Sequence, residues 1–387
     1  MEHDQAVETT KTLLGDAAVP ALYEPAFTFH GIRTRIDVLN RNGWREFDLV
    51  EVKSSTRIKP EHITDVAIQV YAVEGSGIPI NGAYLMHLNN AYEYQGGEHD
   101  LEQLFTLQDV TDRARSFIEK RVPDDLSRMW STLKLDAPPL IENGPHCTRP
   151  YRCSFYGHCH QDEPGNNGQT FISPSLQSRL EEITFPASFL DFETVSPAIP
   201  LYPGTRPYQP IPFQWSLHIL DSSGNLAHES FLNDDAGDPR ERFIITLLEE
   251  IPSDGAIVTY SSYEKTILNG LANAFPLYRN RLFALSDRIV DLLKLIRENY
   301  YHPDFNGSYS LKSVAPALVP NQDYTNMDIQ DGAAASMAYT RVSAVETPES
   351  EKAEIKEALL TYCAQDTEAM VGLYEALFDE SKSSEPR

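Results

Sequence analysis

Long apolar runs separated by short polar breaks dominate the second half of the chain. They predict strands at 187–194, 212–220, 226–232 and 255–260, with a helix at 239–251. Beyond residue 260 the apolar positions recur every three to four residues. That spacing predicts helices near 262–274, 286–299, 310–317, 332–344 and 350–377. The first half reads as a helix at 5–18, strands at 22–29, 34–41 and 44–53, a helix at 58–77, a strand at 82–89 and helical sequence over 108–133. Asn42-Gly43 lies between two of those strands as a hairpin signal, and Pro60 sits where a helix tolerates it, at the start. The stretch PGNNGQ (164–169) reads as a linker. Two α/β domains are therefore expected, at 1–163 and 171–380, each a mixed sheet flanked by helices.

One strand carries chemistry that its surroundings should not tolerate. In FLDFETV (189–195), Asp191 and Glu193 are two apart and so share a face. Two carboxylates on one face of a buried strand repel each other and are costly to desolvate. A divalent cation between them removes both penalties. In YCAQDTEAM (362–370), Tyr362 and Asp366 lie one helical turn apart on one face. A strand-borne acid pair with a helix-borne tyrosine and acid points to metal-dependent cutting of phosphodiesters.

In that order the motifs resemble the DnaQ-type 3′–5′ exonucleases of the RNase H-like fold, over roughly 185–377, in the subtype that ends in Tyr-x-x-x-Asp. The middle motif departs. VTYSSYEK (258–265) has Tyr263-Glu264 where the family places an aromatic residue and aspartate, so the carboxylate reaches out by one more methylene. The resemblance implies two Mg²⁺ or Mn²⁺ ions about 3.5–4 Å apart. Asp191 would bridge them, Glu193 and Asp366 would complete one, Glu264 would hold the other, and Tyr362 would orient the attacking water. Asp291 reads as a helix-start acid. Ser310, Leu311 and Lys312 either build the local helix or contact phosphate.

A second acidic pattern lies earlier. RIDVL (35–39) and LVEVKSS (49–55) place Asp37 on one strand, and Glu51 with Lys53 on one face of its neighbour. A tight turn at Asn42-Gly43 would set Asp37 opposite Asp48, so bringing it to Glu51 requires a wider loop or bulge. The pattern resembles the RecB-like branch of PD-(D/E)XK nucleases, with Gln69 and Tyr71 resembling that branch's helix motif. The resemblance implies a restriction-endonuclease-like core in which Asp37 and Glu51 bind metal. Lys53 would position water and stabilise the charge developing on phosphate.

Three of the four cysteines, Cys147, Cys153 and Cys159, fall in a C-x5-C-x5-C run, whereas Cys363 reads as a helix-core residue. In a cytosolic protein such clustering suggests metal rather than disulfides. The run resembles the cysteine cluster of iron–sulfur RecB-like nucleases and implies a [4Fe-4S] centre, which needs four thiolates. With His146, His158 or His160 as the fourth ligand, Zn²⁺ is the alternative. The whole arrangement is similar to an uncharacterised bacterial family known only as a domain of unknown function. Its longer members imply a preceding cysteine-bearing segment. The Pro- and Tyr-rich stretch 197–218, with Arg206, reads either as a base-stacking platform or as a rigid connection.

Charge and hydropathy limit the partners. The net charge of −25 argues against tight nonspecific duplex binding, though bound cations can neutralise a site locally. No apolar run reaches about 18 residues, so no membrane span is expected. The acidic N-terminus does not resemble a signal peptide, so a cytoplasmic location is expected. The expected activity is 3′–5′ exonuclease action on single-stranded or frayed DNA, in repair or defence, with DNA ahead of RNA as partner. An RNA exonuclease and a catalytically impaired nucleic-acid-binding repair factor are the alternatives.

Overall fold

The computed structural model describes residues 2–43, 46–149, 151–159, 169–320, 322, 324 and 327–383. The chain forms two compact units, one of Met1–Gly157 with Ala198–Tyr208, the other of His158–Pro197 with Gln209–Arg387. Both are mixed α/β, and each is built on a mixed five-stranded sheet.

In the first unit the strands are β1 (Ala21–Tyr23), β2 (Ala26–Phe29), β3 (Ile32–Arg35), β4 (Val38–Arg41), β5 (Phe47–Lys53), β6 (Ile80–Leu88) and β7 (Phe105–Asp109). The sheet order is β1-β4-β5-β6-β7, with β2 and β3 as a separate hairpin. Only β5 and β6 run parallel, and the helix Pro60–Gly75 connects them. That helix buries Val66, Ala67, Val70 and Val73 against Leu39, Leu49, Ala83 and Leu85 of the sheet. The extended run expected at 22–29 is split, because Glu24 takes a left-handed φ of 53° ahead of Pro25. Strand β7 is not among the expected elements, and its last two residues fall at the start of the stretch 108–133 expected to be helical. It is a mostly exposed edge strand and so lacks the period-two burial that marks a strand in sequence.

Residues 198–208, expected with the second domain, pack within the first unit. The Tyr94 amide donates to the Thr205 carbonyl at 3.0 Å, the Gly204 amide donates to the Tyr94 carbonyl at 2.7 Å, and Arg206 pairs with Glu93 at 3.1 Å. The Tyr208 hydroxyl donates to the Ser54 carbonyl. With Arg206 tied to Glu93, the stretch reads better as a fastened connection than as a stacking platform.

The second unit holds β8 (Phe171–Ile172), β9 (Ala187–Val195), β10 (Ile211–Leu220), β11 (Leu226–Leu232), β12 (Ile257–Thr259), β13 (Ile289–Asp291) and β14 (Tyr300–Tyr301). Its sheet order is β11-β10-β9-β12-β13. The first three strands are antiparallel, while β12 runs parallel to both β9 and β13. The first strand of the sheet in chain order, β9, thus lies at its centre. Strand β13 interrupts what the sequence suggested was one helix over 286–299. An apolar Ile-Val pair fits either period when the strand is so short.

Strand β9 is covered on both faces. Leu190 and Phe192 pack with Trp215, Phe243, Leu247 and Leu268. Phe189 points the other way, into a core with Val258, Met370, Leu373 and Tyr374. By the same alternation Asp191 and Glu193 face the side of the 35-residue helix Glu349–Ser383. That helix shows a buried stripe of Leu359, Cys363, Asp366, Thr367, Met370, Leu373, Tyr374 and Leu377, spaced by threes and fours. The stripe is apolar except near Asp191, where it turns polar.

Candidate functional site

Two features bring the acids of the second unit together. Parallel pairing sets β9 and β12 side by side in the same direction, so their carboxyl ends open at the same edge. Such edges are where α/β sheets bind ligands. Asp191 lies at the middle of β9 and Glu193 in its last third. Glu264 follows β12, in the first turn of the helix Tyr263–Ala274. The Ser261 hydroxyl accepts from the Tyr263 amide at 3.1 Å and starts that helix. The helix Glu349–Ser383 then supplies Tyr362, Cys363 and Asp366 from across the face.

Glu193, Glu264, Tyr362 and Asp366 are all buried, and Asp191 is partly so. Burial drives Asp191 well above the ordinary carboxylate range, with Asp366, Glu193 and Glu264 adding repulsion. Burial, then Asp366, pushes Glu193 up to about 8, against the pull of Lys312. Glu264 also rises to about 8, mainly from burial, with a contribution from Asp291. Asp366 is raised by burial and held back by Tyr324, Lys312 and Tyr362. Burial and then Asp366 raise the Tyr362 phenol, so it stays neutral. A neutral phenol suits a group that orients water better than one that removes its proton.

Two carboxylate oxygens here are orphaned. Among the described residues, Glu264 Oε2 and Asp366 Oδ1 are buried without a hydrogen-bond partner. Buried polar atoms in native proteins are nearly always paired, so an unmatched pair of carboxylate oxygens calls for a cause. The ligand atoms of Asp191, Glu193 and Cys363 lie within 4.8 Å of one another. An all-oxygen set of acids with unmatched lone pairs fits hard divalent cations such as Mg²⁺ and Mn²⁺. Asp191, Glu193, Glu264 and Asp366 are the residues that would hold them.

Several further side chains surround this site. Lys312 Nζ donates to the Tyr362 hydroxyl at 2.7 Å and lies 4.5 Å from that ring's centre. It also donates to the Gln330 carbonyl and sits 5.4 Å from the Tyr324 ring. Of the two readings left open for Ser310–Lys312, Lys312 therefore stands at the site as a cation beside the acids. The Tyr263 hydroxyl and Thr194 Oγ1 are 2.6 Å apart, which ties the Glu264 helix to β9 next to Glu193. Asp291 caps the helix Leu292–Asn299 by accepting from the Lys294 amide at 2.8 Å, as its reading as a helix-start acid requires.

The acids of the first unit are placed differently. The register pairs Val38 with Val50, so Asp37 falls opposite Glu51. A wide connection supplies the correction that a tight turn would forbid, the Asn42 amide donating to the Glu46 carbonyl at 2.9 Å. Asp37 Oδ2 accepts from the Val52 amide at 2.7 Å. Glu51 accepts from Lys53 Nζ at 2.6 Å and from Gln69 Nε2 at 2.8 Å. Lys53 also donates to Asp65, which the sequence reading missed although Asp65 and Gln69 are one turn apart on one helix. Burial raises the Glu51 carboxyl while Lys53 and Gln69 pull it back. For Lys53, burial opposes the charge, but Asp65 and Glu51 outweigh it and raise the pKa. These acids are matched by protein donors, whereas in the second unit Glu264 and Asp366 each keep one buried oxygen without a donor among the described residues.

Tyr71 is not brought to this set. Two residues apart on a helix face opposite ways, and Tyr71 instead lies 3.3 Å from His30 Nδ1 and packs edge-on to Phe29.

The cysteine run does not assemble as expected. Among the described residues, Cys147, Cys153 and Cys159 form no group of three ligand atoms within 4.8 Å and no disulfide. Cys147 is buried at the 3-10 turn Pro145–Cys147, where its sulfur accepts from the Gly144 amide at 3.5 Å. Cys153 and Cys159 are exposed. His160 lies outside the described residues, as do residues 164–168 of the linker.

Residues 188–310 match the model of a family described as a domain of unknown function, DUF2779. No curated protein matches the chain. Among solved structures, it is similar to the family B DNA polymerase from the hyperthermophilic archaeon Pyrobaculum calidifontis, with a TM-score of 0.33 and 13% sequence identity. That alignment covers 94% of this chain and 48% of the polymerase, so the chain spans about half that protein's length. A likeness this weak carries no argument about activity. Among the described residues, no helix is long and apolar enough to cross a membrane.

Proposed function

We propose that the second unit is a metal-dependent nuclease that removes nucleotides from the 3′ end of single-stranded or frayed DNA. The observation that carries this reading is the convergence of Asp191, Glu193, Glu264 and Asp366 at one sheet edge, with buried Glu264 and Asp366 oxygens lacking a partner. Divalent cations bound there would neutralise the scissile phosphate and lower the pKa of the attacking water. Asp191 and Glu193 supply a fixed pair of ligands on a strand packed on both faces. Tyr362, neutral and held by Lys312, orients the water through its hydroxyl. Lys312 adds a positive charge where the chain is otherwise acidic.

Glu264 keeps the charge of the aspartate expected at its position, and its helix start is tied to β9 through Tyr263 and Thr194. This favours a working site over a relic. In the same proposal the first unit is a PD-(D/E)XK-like element whose Glu51 is held by Lys53 and Gln69, so it contributes little to cutting. The [4Fe-4S] or Zn²⁺ centre on Cys147, Cys153 and Cys159 would require those thiols to gather around the metal. A cytoplasmic setting fits the reading.

Matched DNA and RNA single strands with either end blocked test the proposal. With Mn²⁺ present, the chain should shorten DNA from a free 3′ end and leave a 3′-blocked strand intact. Glu51→Ala should retain more than about half of the rate, because its carboxylate is already matched by protein donors. Preference for RNA would replace DNA as the substrate. Loss of activity in Glu51→Ala would move the chemistry to the first unit.

A further inference from the structure

Cys363 is a buried thiol at this site that the proposed reaction does not use. It lies in the stripe of the helix Glu349–Ser383 one residue after Tyr362, and it is fully buried. Its thiol donates toward Asp191 Oδ2 at 3.5 Å, with the Asp191 carbonyl 3.9 Å away. A core cysteine ordinarily packs as a small hydrophobe. This one is set among carboxylates, and its sulfur is grouped with oxygens of Asp191 and Glu193 within 4.8 Å. Sulfur is a soft ligand, and hard cations such as Mg²⁺ prefer oxygen. The unmatched oxygens of Glu264 and Asp366 independently mark the same place as a ligand site.

We propose that Cys363 is a third ligand side chain beside Asp191 and Glu193, which lets this centre take a thiophilic divalent cation of the Zn²⁺ or Cd²⁺ kind. The proposal rests on reading these acids as a cation site. On binding, the sulfur–hydrogen bond breaks, a sulfur–metal bond forms, and the proton passes to the buffer. No electron is transferred. Mg²⁺ and Mn²⁺ would use the oxygens alone, so the thiol discriminates between classes of cation without being needed for the hard ones. A thiophilic ion held this way would compete with the ions that support cutting and so act as an inhibitor.

Cadmium titration of the intact protein tests this through the thiolate-to-cadmium charge-transfer absorption. Wild type should show a component of that absorption that is absent from both Cys363→Ser and Asp191→Asn. The other three thiols contribute equally in all three proteins. Cd²⁺ affinity at this site should fall by about 10-fold or more in Cys363→Ser, while Mn²⁺ affinity changes by less than about 3-fold. Cys363→Ala should repeat the result and exclude a misfolding effect. An unchanged absorption in Cys363→Ser, with Mn²⁺ still bound, would overturn the thiol ligand and leave the carboxylate site standing. Failure of both Cd²⁺ and Mn²⁺ to bind would overturn the carboxylate site itself.

Discussion

Asp191→Asn should abolish Mn²⁺-dependent release of nucleotides, with kcat falling on the order of 10³-fold or more, equivalent to ~4 kcal/mol of transition-state stabilisation. The amide keeps the shape of the side chain and removes its charge. Asp191 is surrounded by Asp366, Glu193 and Glu264, all of which oppose its ionisation. The same substitution should therefore stabilise the chelator-treated protein, raising its melting temperature by several degrees. Loss of function together with gained stability separates a metal ligand from a structural acid. A structural acid would lose stability when neutralised. Full activity in Asp191→Asn would remove this residue from the site.

The second large effect is a dependence of stability on pH. Glu193 and Glu264 have folded-state pKa values of about 8, against 4.5 for an unperturbed glutamate. Between those values the native state holds protons that the unfolded state has released. Stability of the chelator-treated protein therefore falls as pH rises through that window, the reverse of the usual behaviour of paired carboxylates. The contribution is complete below about pH 4.5 and lost above about pH 8, and it amounts to roughly a few kcal/mol for the coupled pair. Bound cations favour the ionised acids, so Mn²⁺ should raise the melting temperature more at pH 8 than at pH 5.5. Urea unfolding at both pH values, with and without Mn²⁺, checks the sign. A metal-free protein that gains stability between pH 5.5 and 8 would contradict the burial of these acids.

Much of this site could be read from short-range pattern. The alternation in FLDFETV places Asp191 and Glu193 on one face, and the spacing of Tyr362 and Asp366 places them on another. Both depend only on the periods of a strand and a helix. The strands 187–195, 211–220 and 226–232 fall within a residue of expectation, the first two because each is a long apolar run. Long-range packing was not legible. Lys312 reaches Tyr362 across 50 residues of chain, and nothing local marks that contact. Cys363 looks like a helix-core residue in sequence, and only the packing of its helix on β9 turns its sulfur toward Asp191. The return of residues 198–208 to the first unit is likewise a tertiary choice. In the first unit, the distance of Asp37 from Glu51 depended on the width of one loop, which a local turn signal misjudged.

The cysteines show the opposite limit. Their even spacing suggested a shared metal, yet spacing does not fix direction, and the turns around Cys147 and Cys159 set one thiol inside and one outside. The acids of the two units teach a related point. Both sets have the residue types of a metal site, but Glu51 is met by Lys53 and Gln69 while Glu264 and Asp366 retain unmatched oxygens. Residue type nominated both sites, and the hydrogen-bond partners distinguish them.

Calorimetric titration of Mn²⁺ into the chelator-treated protein at pH 7, repeated in buffers of different ionisation enthalpy, tests the central claim most directly. Acids with pKa values near 8 must lose protons to bind a cation. Binding should therefore release about one to two protons per protein in wild type, and both binding and release should disappear in Asp191→Asn. Binding without proton release, or binding that survives Asp191→Asn unchanged, would contradict the assignment of these buried carboxylates as the metal centre.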